Sequence, residues 1–115
     1  MEGDETKRRL ELMRGTLDML ILRTLMPGPA HGHEIAKHIQ RTTEDFLQVE
    51  HGSLYPALHR LEKRGWLKAD WRPSETGRVA KFYSLTRVGR KRLGAETANW
   101  DRLAGAVDLI LRTAE

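Results

Sequence analysis

Residues Gly52 to Thr86 read GSLYPALHRLEKRGWLKADWRPSETGRVAKFYSLT, and this stretch decides the fold. It predicts a short helix that ends at Gly65, where a glycine suits a left-handed cap. A strand from Trp66 to Trp71 follows, then a polar loop with Pro and Gly, then a second strand from Val79 to Leu85. Helix, strand, loop and strand in this order are typical of the third helix and wing of a winged helix-turn-helix.

The helix has two distinct faces. Ser53 is its predicted N-cap, and Pro56 is tolerated in the first turn, where no intrahelical donor is needed. Leu54, Leu58 and Leu61 share one face and are predicted to point inward. The residues of the outward face are Pro56, His59, Arg60 and Lys63, with Ser53 and Tyr55 at its edges.

Positive charge is concentrated in the same part of the chain. Residues 51–92 contain eleven Lys or Arg against three Asp or Glu, whereas the net charge of all 115 residues is only +4. Residues 16–50 and 93–115 each carry more acidic than basic side chains. Clustered positive charge is the pattern expected of a surface that binds phosphate groups. The sequence therefore predicts a nucleic-acid interface on this unit.

Two helices are predicted before this unit. The first ends at Pro27-Gly28-Pro29, because proline cannot continue the hydrogen-bond ladder. Its apolar stripe consists of Leu17, Leu20, Ile21 and Leu25. The second helix is predicted from about His31 to Thr42. In the connector that follows, Phe46, Leu47 and Val49 are predicted to pack under the core.

A last helix is predicted from about Val88 to near the C-terminus, with Thr86 as its cap. Its apolar residues recur near heptad intervals and are too many for a lone helix beside a small domain. They are Leu93, Trp100, Leu103, Val107, Ile110 and Leu111. We predict that they pack across a homodimer seam, and the alternative is a lining for a planar hydrophobic effector that stacks on Trp100. Trp66 and Trp71 are predicted to cover the core or the dimer surface.

Composition bounds the class of protein. With 39% hydrophobic and 31% charged residues, the sequence is typical of one soluble globular domain. No apolar run reaches the length that spans a bilayer, and the N-terminus has no signal-peptide pattern, so we expect a cytoplasmic protein without a membrane partner. The absence of cysteine excludes disulfides, thiolate metal sites and a Cys nucleophile.

Metal and catalytic sites find little support. His31 and His33 raise the question of a metal site, but no carboxylate cluster completes a ligand set at zinc spacing. Capping and packing are predicted for these histidines instead. There is no phosphate-cradling glycine loop and no nucleophile-base pattern, and Ser53 is explained as a helix cap. We predict no metal, no cofactor and no enzymatic activity.

Four segments of the chain, taken in order, match the motifs of a known protein family. They are RGTLDMLIL (Arg14–Leu22), PAHGHEIAKHI (Pro29–Ile39), EHGSLYPALHRLEKRGWL (Glu50–Leu67) and KFYSLTRVGRKRL (Lys81–Leu93). In this order they resemble the PadR family of bacterial transcriptional regulators, from roughly Glu11 to the C-terminus. SLYPAL, a short basic helix and KxYxLT are the most specific part. His33 departs from the family, which often has a tyrosine or another aromatic there.

The resemblance implies a homodimer that binds a pseudo-palindromic double-stranded DNA operator and usually represses neighbouring genes. It also implies that a small molecule or stress signal can release the regulator. The length after Thr86 is similar to that of the small subfamily, which has one C-terminal helix. We therefore predict a mainly α fold with a small β-hairpin. Its parts are an N-terminal extension (1–13), a winged helix-turn-helix (14–86) and a dimerisation helix (87–115).

The DNA contacts follow from this prediction. Tyr55 and His59 are predicted at base edges or thymine methyl groups in the major groove, and Arg60 and Lys63 at phosphates. The wing is predicted to grip phosphates or enter the minor groove through its cations, which are Arg72, Arg78 and Lys81.

Three alternatives remain open at this point. A winged helix used only for protein contacts needs no basic excess on its third helix and wing. A small basic hydrolase or nuclease needs an acidic metal cluster or an acid-base pair. A regulator of another winged-helix family is closer, and only the family-like motifs argue against it.

Overall fold

The computed structural model describes residues 15–113. The predicted extension over residues 1–13 lies outside this range. The elements in chain order are α1 (residues 15–24), β1 (Ala30–His31), α2 (Gly32–Thr42), α3 (His51–Lys63), β2 (Leu67–Pro73), β3 (Val79–Leu85) and α4 (Arg87–Leu111). The three strands form one antiparallel sheet in the order β1-β3-β2. Within residues 15–113, no helix combines the length and the apolar character needed to cross a bilayer.

The core lies where the first three helices meet the inner face of the hairpin. Its fully buried side chains are Ile21, Leu22, Leu25, Ile35, Leu54, Leu58, Leu61 and Leu67. Each large side chain of this kind contributes about 1.5–3 kcal/mol when it leaves water. The predicted inward face of α3 is confirmed. In α1, Leu20 is only partly buried, and the fully buried Leu22 widens the predicted stripe.

Helix α3 begins two residues earlier than its predicted cap. Its N-cap is Glu50, which makes no side-chain capping bond, and the Ser53 amide already donates to the Glu50 carbonyl at 3.0 Å. The prediction of Ser53 as N-cap is therefore wrong. Pro56 consequently lies in the second turn, where it lacks the N–H that would reach the carbonyl of Gly52.

The end of α3 follows the prediction. Gly65 has a φ of +79°, in the left-handed region that favours glycine. Its amide donates to the Glu62 carbonyl at 3.0 Å, and the Trp66 amide donates to the Leu61 carbonyl at 3.0 Å. This pair of bonds is a Schellman motif, and it turns the chain from α3 into β2.

The hairpin is longer than predicted, because β2 continues through Arg72 to Pro73. Its register runs from Leu67 opposite Leu85 to Pro73 opposite Val79. Strand β1 was not predicted. With two residues it has no sequence signal of its own, and it forms because β3 offers a free edge to Ala30 and His31.

Helix α4 starts against the winged unit, which consists of α1, α2, α3 and the three strands, and then extends away from it. The Gly89 amide donates to the Thr86 hydroxyl at 2.9 Å, which confirms Thr86 as the cap. A Cβ on Gly89 would lie 2.1 Å from the carbonyl oxygen of Trp66, so only glycine fits this contact. Leu93 is the last buried residue, and from Gly94 to residue 113 no side chain is buried.

The prediction for Phe46 is wrong, and the prediction for Trp71 is narrowed to one of its two alternatives. Phe46 is 85% exposed, although Leu47 and Val49 do pack against the core. The preceding residues Glu44 and Asp45 both have positive φ, and this pair of left-handed residues redirects the backbone so that Phe46 faces solvent. Trp71, at 69% exposed, does not cover the core of this chain, and its place on the dimer surface stays a prediction.

Candidate nucleic-acid interface

The outward face of α3 is largely where the sequence placed it. Tyr55, Pro56, His59 and Lys63 are exposed, and Ser53 is half-buried. The inward leucines hold this orientation, since turning the helix would expose the core. The face offers donors and an aromatic ring on a helix of suitable size for a major groove.

Arg60 is the exception on that face. Its Nη2 atom lies 2.6 Å from Oδ1 of Asp18 in α1, and the two side chains are only 22% and 12% exposed. The pair therefore ties α3 to α1, and Arg60 does not stand free on the outward face. The sequence signal was Asp18 itself, because an acid inside the apolar segment LDMLIL needs a cationic or hydrogen-bonding partner when it is buried.

Lys81 is also engaged within the chain. Its Nζ atom lies 2.9 Å from Oε1 of Glu62 in α3 and 5.4 Å from the ring centroid of Tyr83. The hydrogen bond to Glu62 raises the pKa of Lys81, although burial acts against it, and burial raises the pKa of Tyr83. The contact ties the wing to α3. Phosphate binding by Lys81 stays a prediction.

The other cations of the wing are more accessible. Arg78 is exposed at the tip, where Ser74 closes the loop by donating from its amide and its hydroxyl to the Arg78 carbonyl, both at 2.8 Å. The guanidinium of Arg72 lies 4.6 Å from the ring centroid of Phe82, on the sheet face opposite the core. Neither Arg72 nor Arg78 has an ion pair within residues 15–113.

Histidine and aromatic rings connect the wing to α3. Successive ring centroids are 5.3–6.5 Å apart in the order Phe82, His31, His33, His51 and Tyr55. His31 caps α2, since its Nδ1 accepts the Glu34 amide at 3.4 Å and the Glu34 carboxylate accepts the His31 amide at 3.2 Å. Capping and packing are thus confirmed for His31. Across residues 15–113, no group of three His, Asp or Glu side chains is arranged to hold a metal.

A groove of about 1330 Å³ opens between α2 and the wing. His33, Lys37 and Arg41 line it from α2, and Tyr55 lines it from α3. Sequence reasoning missed Lys37 and Arg41, because it placed the cationic surface in residues 51–92 only. The available signal was their spacing, since residues four apart share one flank of a helix.

The family follows from comparison with known proteins. A family model described as the transcriptional regulator PadR-like family matches residues 21–95, from the core of α1 to just beyond Leu93. The chain belongs to the PadR-like family. The predicted resemblance to the PadR family and the predicted winged-helix fold are therefore both confirmed.

Individual transcriptional regulators are similar to this protein along most of the chain. A transcriptional regulator from Mycobacterium tuberculosis is 31% identical over 97 residues, which cover 84% of this chain and 87% of that protein. A solved PadR family transcriptional regulator from Eggerthella lenta is 32% identical with a TM-score of 0.78, and the match covers 97% and 96% of the two chains. A solved transcriptional regulator from Clostridium thermocellum is 30% identical with a TM-score of 0.78, covering 85% and 95%.

The PadR-like assignment fixes the general function. The protein is a DNA-binding transcriptional regulator, and the prediction that it is not an enzyme is confirmed, because the family and its neighbours are regulators. PadR-like regulators bind DNA and typically dimerise. Among the open alternatives, a module used only for protein contacts and a small nuclease no longer apply.

The predicted stripe of this PadR-like chain is exposed along α4. Beyond Leu93, its side chains are between 45% and 77% exposed: Trp100, Leu103, Val107, Ile110 and Leu111. No element within residues 15–113 covers them. An apolar stripe of this length is unusual on a monomer and marks an interaction surface.

Proposed function

We propose that the protein is a repressor that binds a pseudo-palindromic operator as a homodimer in the cytoplasm. One observation carries the dimer: the distal half of α4 presents an uncovered apolar stripe at near-heptad spacing. Such a stripe packs well against its own copy, because a two-fold axis brings the same residues together. The dimer would place two α3 helices on half-sites about 34–36 Å, or a multiple of this distance, apart.

Within each half-site, we propose that α3 enters the major groove. His59 approaches base edges, Lys63 approaches a phosphate, and Ser53, Tyr55 and Pro56 flank them. Arg60 uses one nitrogen on Asp18, and its guanidinium retains other N–H donors for a phosphate. The wing adds non-specific grip through Arg72 and Arg78, with Lys81 as a third candidate.

Selection of DNA from a random pool tests the operator proposal. We expect an inverted repeat whose half-site centres are separated by one helical turn or a multiple of it. A selected sequence without two-fold symmetry would contradict the homodimeric reading head. Sedimentation of the full chain and of a chain ending at Leu93 tests the dimer separately. The full chain should sediment as a dimer at micromolar concentration and the shortened chain as a folded monomer.

A planar hydrophobic effector is the second element of the proposal. Trp100 lies midway along the stripe and is 45% exposed in the single chain, so a flat ligand could stack on it at the seam. Titration of planar hydrophobic compounds into a Trp66→Phe, Trp71→Phe double variant isolates Trp100 fluorescence. A change that accompanies release from the operator supports the effector. Fluorescence that ignores every such ligand leaves Trp100 with packing alone.

The proposal also sets the working boundary between the two functional parts. The predicted boundary lies at residues 86 and 87, but the first turns of α4 pack on the winged unit through Gly89 and Leu93. Residues 94–115 are therefore the segment whose removal should separate DNA reading from dimerisation.

A further inference from the structure

The wall of the groove formed by α2 is cationic. His33, Lys37 and Arg41 are exposed on one flank of this helix and face the wing. Neither Lys37 nor Arg41 has an ion pair within residues 15–113. The carboxylate of Glu34, which also lines the groove, is occupied by His31 at the start of α2. The charges of Lys37 and Arg41 are therefore uncompensated.

The opposite wall is cationic as well. It contains Arg72, Arg78 and Lys81, and Glu75 is its acidic residue. Since Lys81 is paired with Glu62, the accessible charge on this wall comes mainly from the two arginines. Two positively charged walls that face each other favour a polyanion between them.

Tyr55 forms part of the floor. A Cβ on Gly32 would lie 2.8 Å from Cε1 and 3.0 Å from the hydroxyl oxygen of Tyr55, so the ring rests on the first residue of α2. Tyr55 is nevertheless 45% exposed and lines the groove, so its hydroxyl is accessible there. The phenol therefore presents a donor toward the groove.

We propose that this groove holds the phosphodiester backbone of one DNA strand. Lys37 and Arg41 contact it from α2, Arg78 contacts it from the wing, and the Tyr55 hydroxyl donates to it from the floor. The strand in question passes between the major groove read by α3 and the minor groove met by the wing. This inference rests on the proposed function, and it moves Tyr55 from base reading to phosphate positioning.

Salt dependence of operator affinity tests the wall of α2. Each phosphate contact that is lost lowers the magnitude of the log-log salt slope by about 0.9. Lys37→Ala and Arg41→Ala should each show this change, and the double variant should show about twice the change. Arg23→Ala is the matched control, because Arg23 is exposed on α1 and does not line the groove. Its slope should equal that of the wild type.

The floor is tested with Tyr55→Phe, which keeps the ring and removes the donor. Affinity should fall by a similar factor on the operator and on a series of duplexes that each carry one base-pair change. A loss confined to one base-pair position would assign Tyr55 to base reading and overturn this part of the proposal. Circular dichroism of each variant confirms that it is folded before affinities are compared.

The outcomes distinguish the proposed path of the DNA strand through the groove from the proposed binding of an operator. Wild-type protein that binds no duplex at all would contradict the proposed operator binding. Wild-type protein that binds its operator, with Lys37→Ala and Arg41→Ala both retaining the full salt slope, would overturn the groove alone. Reduced slopes in these two variants with an unchanged Arg23→Ala slope support the strand path.

Discussion

The winged unit and the distal half of α4 use apolar residues in opposite ways. Among residues 15–113, the fourteen buried hydrophobic residues lie between Leu17 and Leu93, and none lies in residues 94–113. Helix α4 beyond Leu93 nevertheless carries large apolar side chains that remain exposed. A helix of this length gains most of its stability from packing and little from intrinsic propensity. The first region is thus complete within one chain, whereas the proposed homodimer would complete the second.

The sharpest test of this comparison uses two glycines of α4. At Gly89, a Cβ would lie 2.1 Å from the Trp66 carbonyl oxygen, whereas at Gly94 it would meet nothing within 4 Å. We expect Gly89→Ala to lower the free energy of unfolding by about 4 kcal/mol, since backbone cannot move aside cheaply. Gly94→Ala should raise it by roughly 0.5–1 kcal/mol. Urea unfolding measures the free energy of unfolding of both variants. Equal changes in the two variants would contradict the difference in packing between the start of α4 and its distal half.

The second test compares a core leucine with a stripe leucine. Leu58→Ala should cost about 3 kcal/mol at every protein concentration, because it opens a cavity inside one chain. Leu103→Ala should weaken the dimer, so its effect on thermal unfolding should depend on protein concentration. Melting temperatures over a hundredfold dilution series distinguish the two variants. A Leu103→Ala effect that is independent of concentration would speak against the dimer seam.

The third test concerns an ion pair inside the winged unit. Arg60→Met leaves the buried Asp18 carboxylate without the guanidinium, and this should cost about 2 kcal/mol of stability. The double variant Asp18→Leu, Arg60→Met should recover most of the loss, because it removes both charges. Chemical unfolding gives the coupling between the two sites. Sedimentation should show an unchanged dimer, since the pair is remote from the stripe.

The fourth test separates DNA reading from assembly. His59 is exposed on the outward face of α3, so His59→Ala should lower the preference for one operator base pair by on the order of 1 kcal/mol. The dimer should be unaffected. Competition between the operator and single-substitution duplexes gives the preference. A variant with wild-type preference at every position would remove His59 from base reading.

The smallest expected effect concerns pH. Because the pKa of Lys81 is raised in the folded protein, its stabilising contribution is fully present below the ordinary value of 10.5 and is lost as the pH rises through the higher folded value. Tyr83, also raised, adds a loss of the same sign above 10.0. Glu62→Gln should flatten this alkaline loss by less than about 1 kcal/mol, since the pair is partly exposed.

Urea midpoints at neutral pH and at about pH 11 measure this effect. An alkaline loss that is identical in wild type and Glu62→Gln would show that the Glu62–Lys81 contact is not formed in solution. Lys81→Ala adds a second readout through operator affinity. A salt slope reduced by about one unit would assign Lys81 to a phosphate. An unchanged slope would leave it as the tie between wing and α3.

The features that sequence predicts correctly are local. The inward leucines of α3, the Gly65 cap and the Thr86 cap each depend on a few neighbouring residues, and all three are confirmed. The start of α3 was misplaced because Ser53 is a good capping residue, while the actual N-cap, Glu50, makes no side-chain bond. Local preference and observed structure conflict there.

The site was less predictable because its decisive contacts join distant residues. Arg60 and Asp18 are 42 positions apart, and Lys81 and Glu62 are 19 apart. The apolar periodicity of one helix predicts the direction in which a side chain points. It does not predict which residue of another element forms an ion pair with that side chain. Only the packed structure shows that these two cations are engaged.

Thr86 gives the molecule a mechanical property. Its hydroxyl donates to the Gly65 carbonyl at 2.7 Å and accepts the Gly89 amide at 2.9 Å, so one side chain joins the end of α3 to the start of α4. From Gly89 to Leu111, α4 is a lever arm of about 33 Å. A change of about 5° in its tilt moves the far end by about 3 Å over that length. In a dimer held at the far ends, small rotations of the seam would therefore shift the distance between the two reading heads.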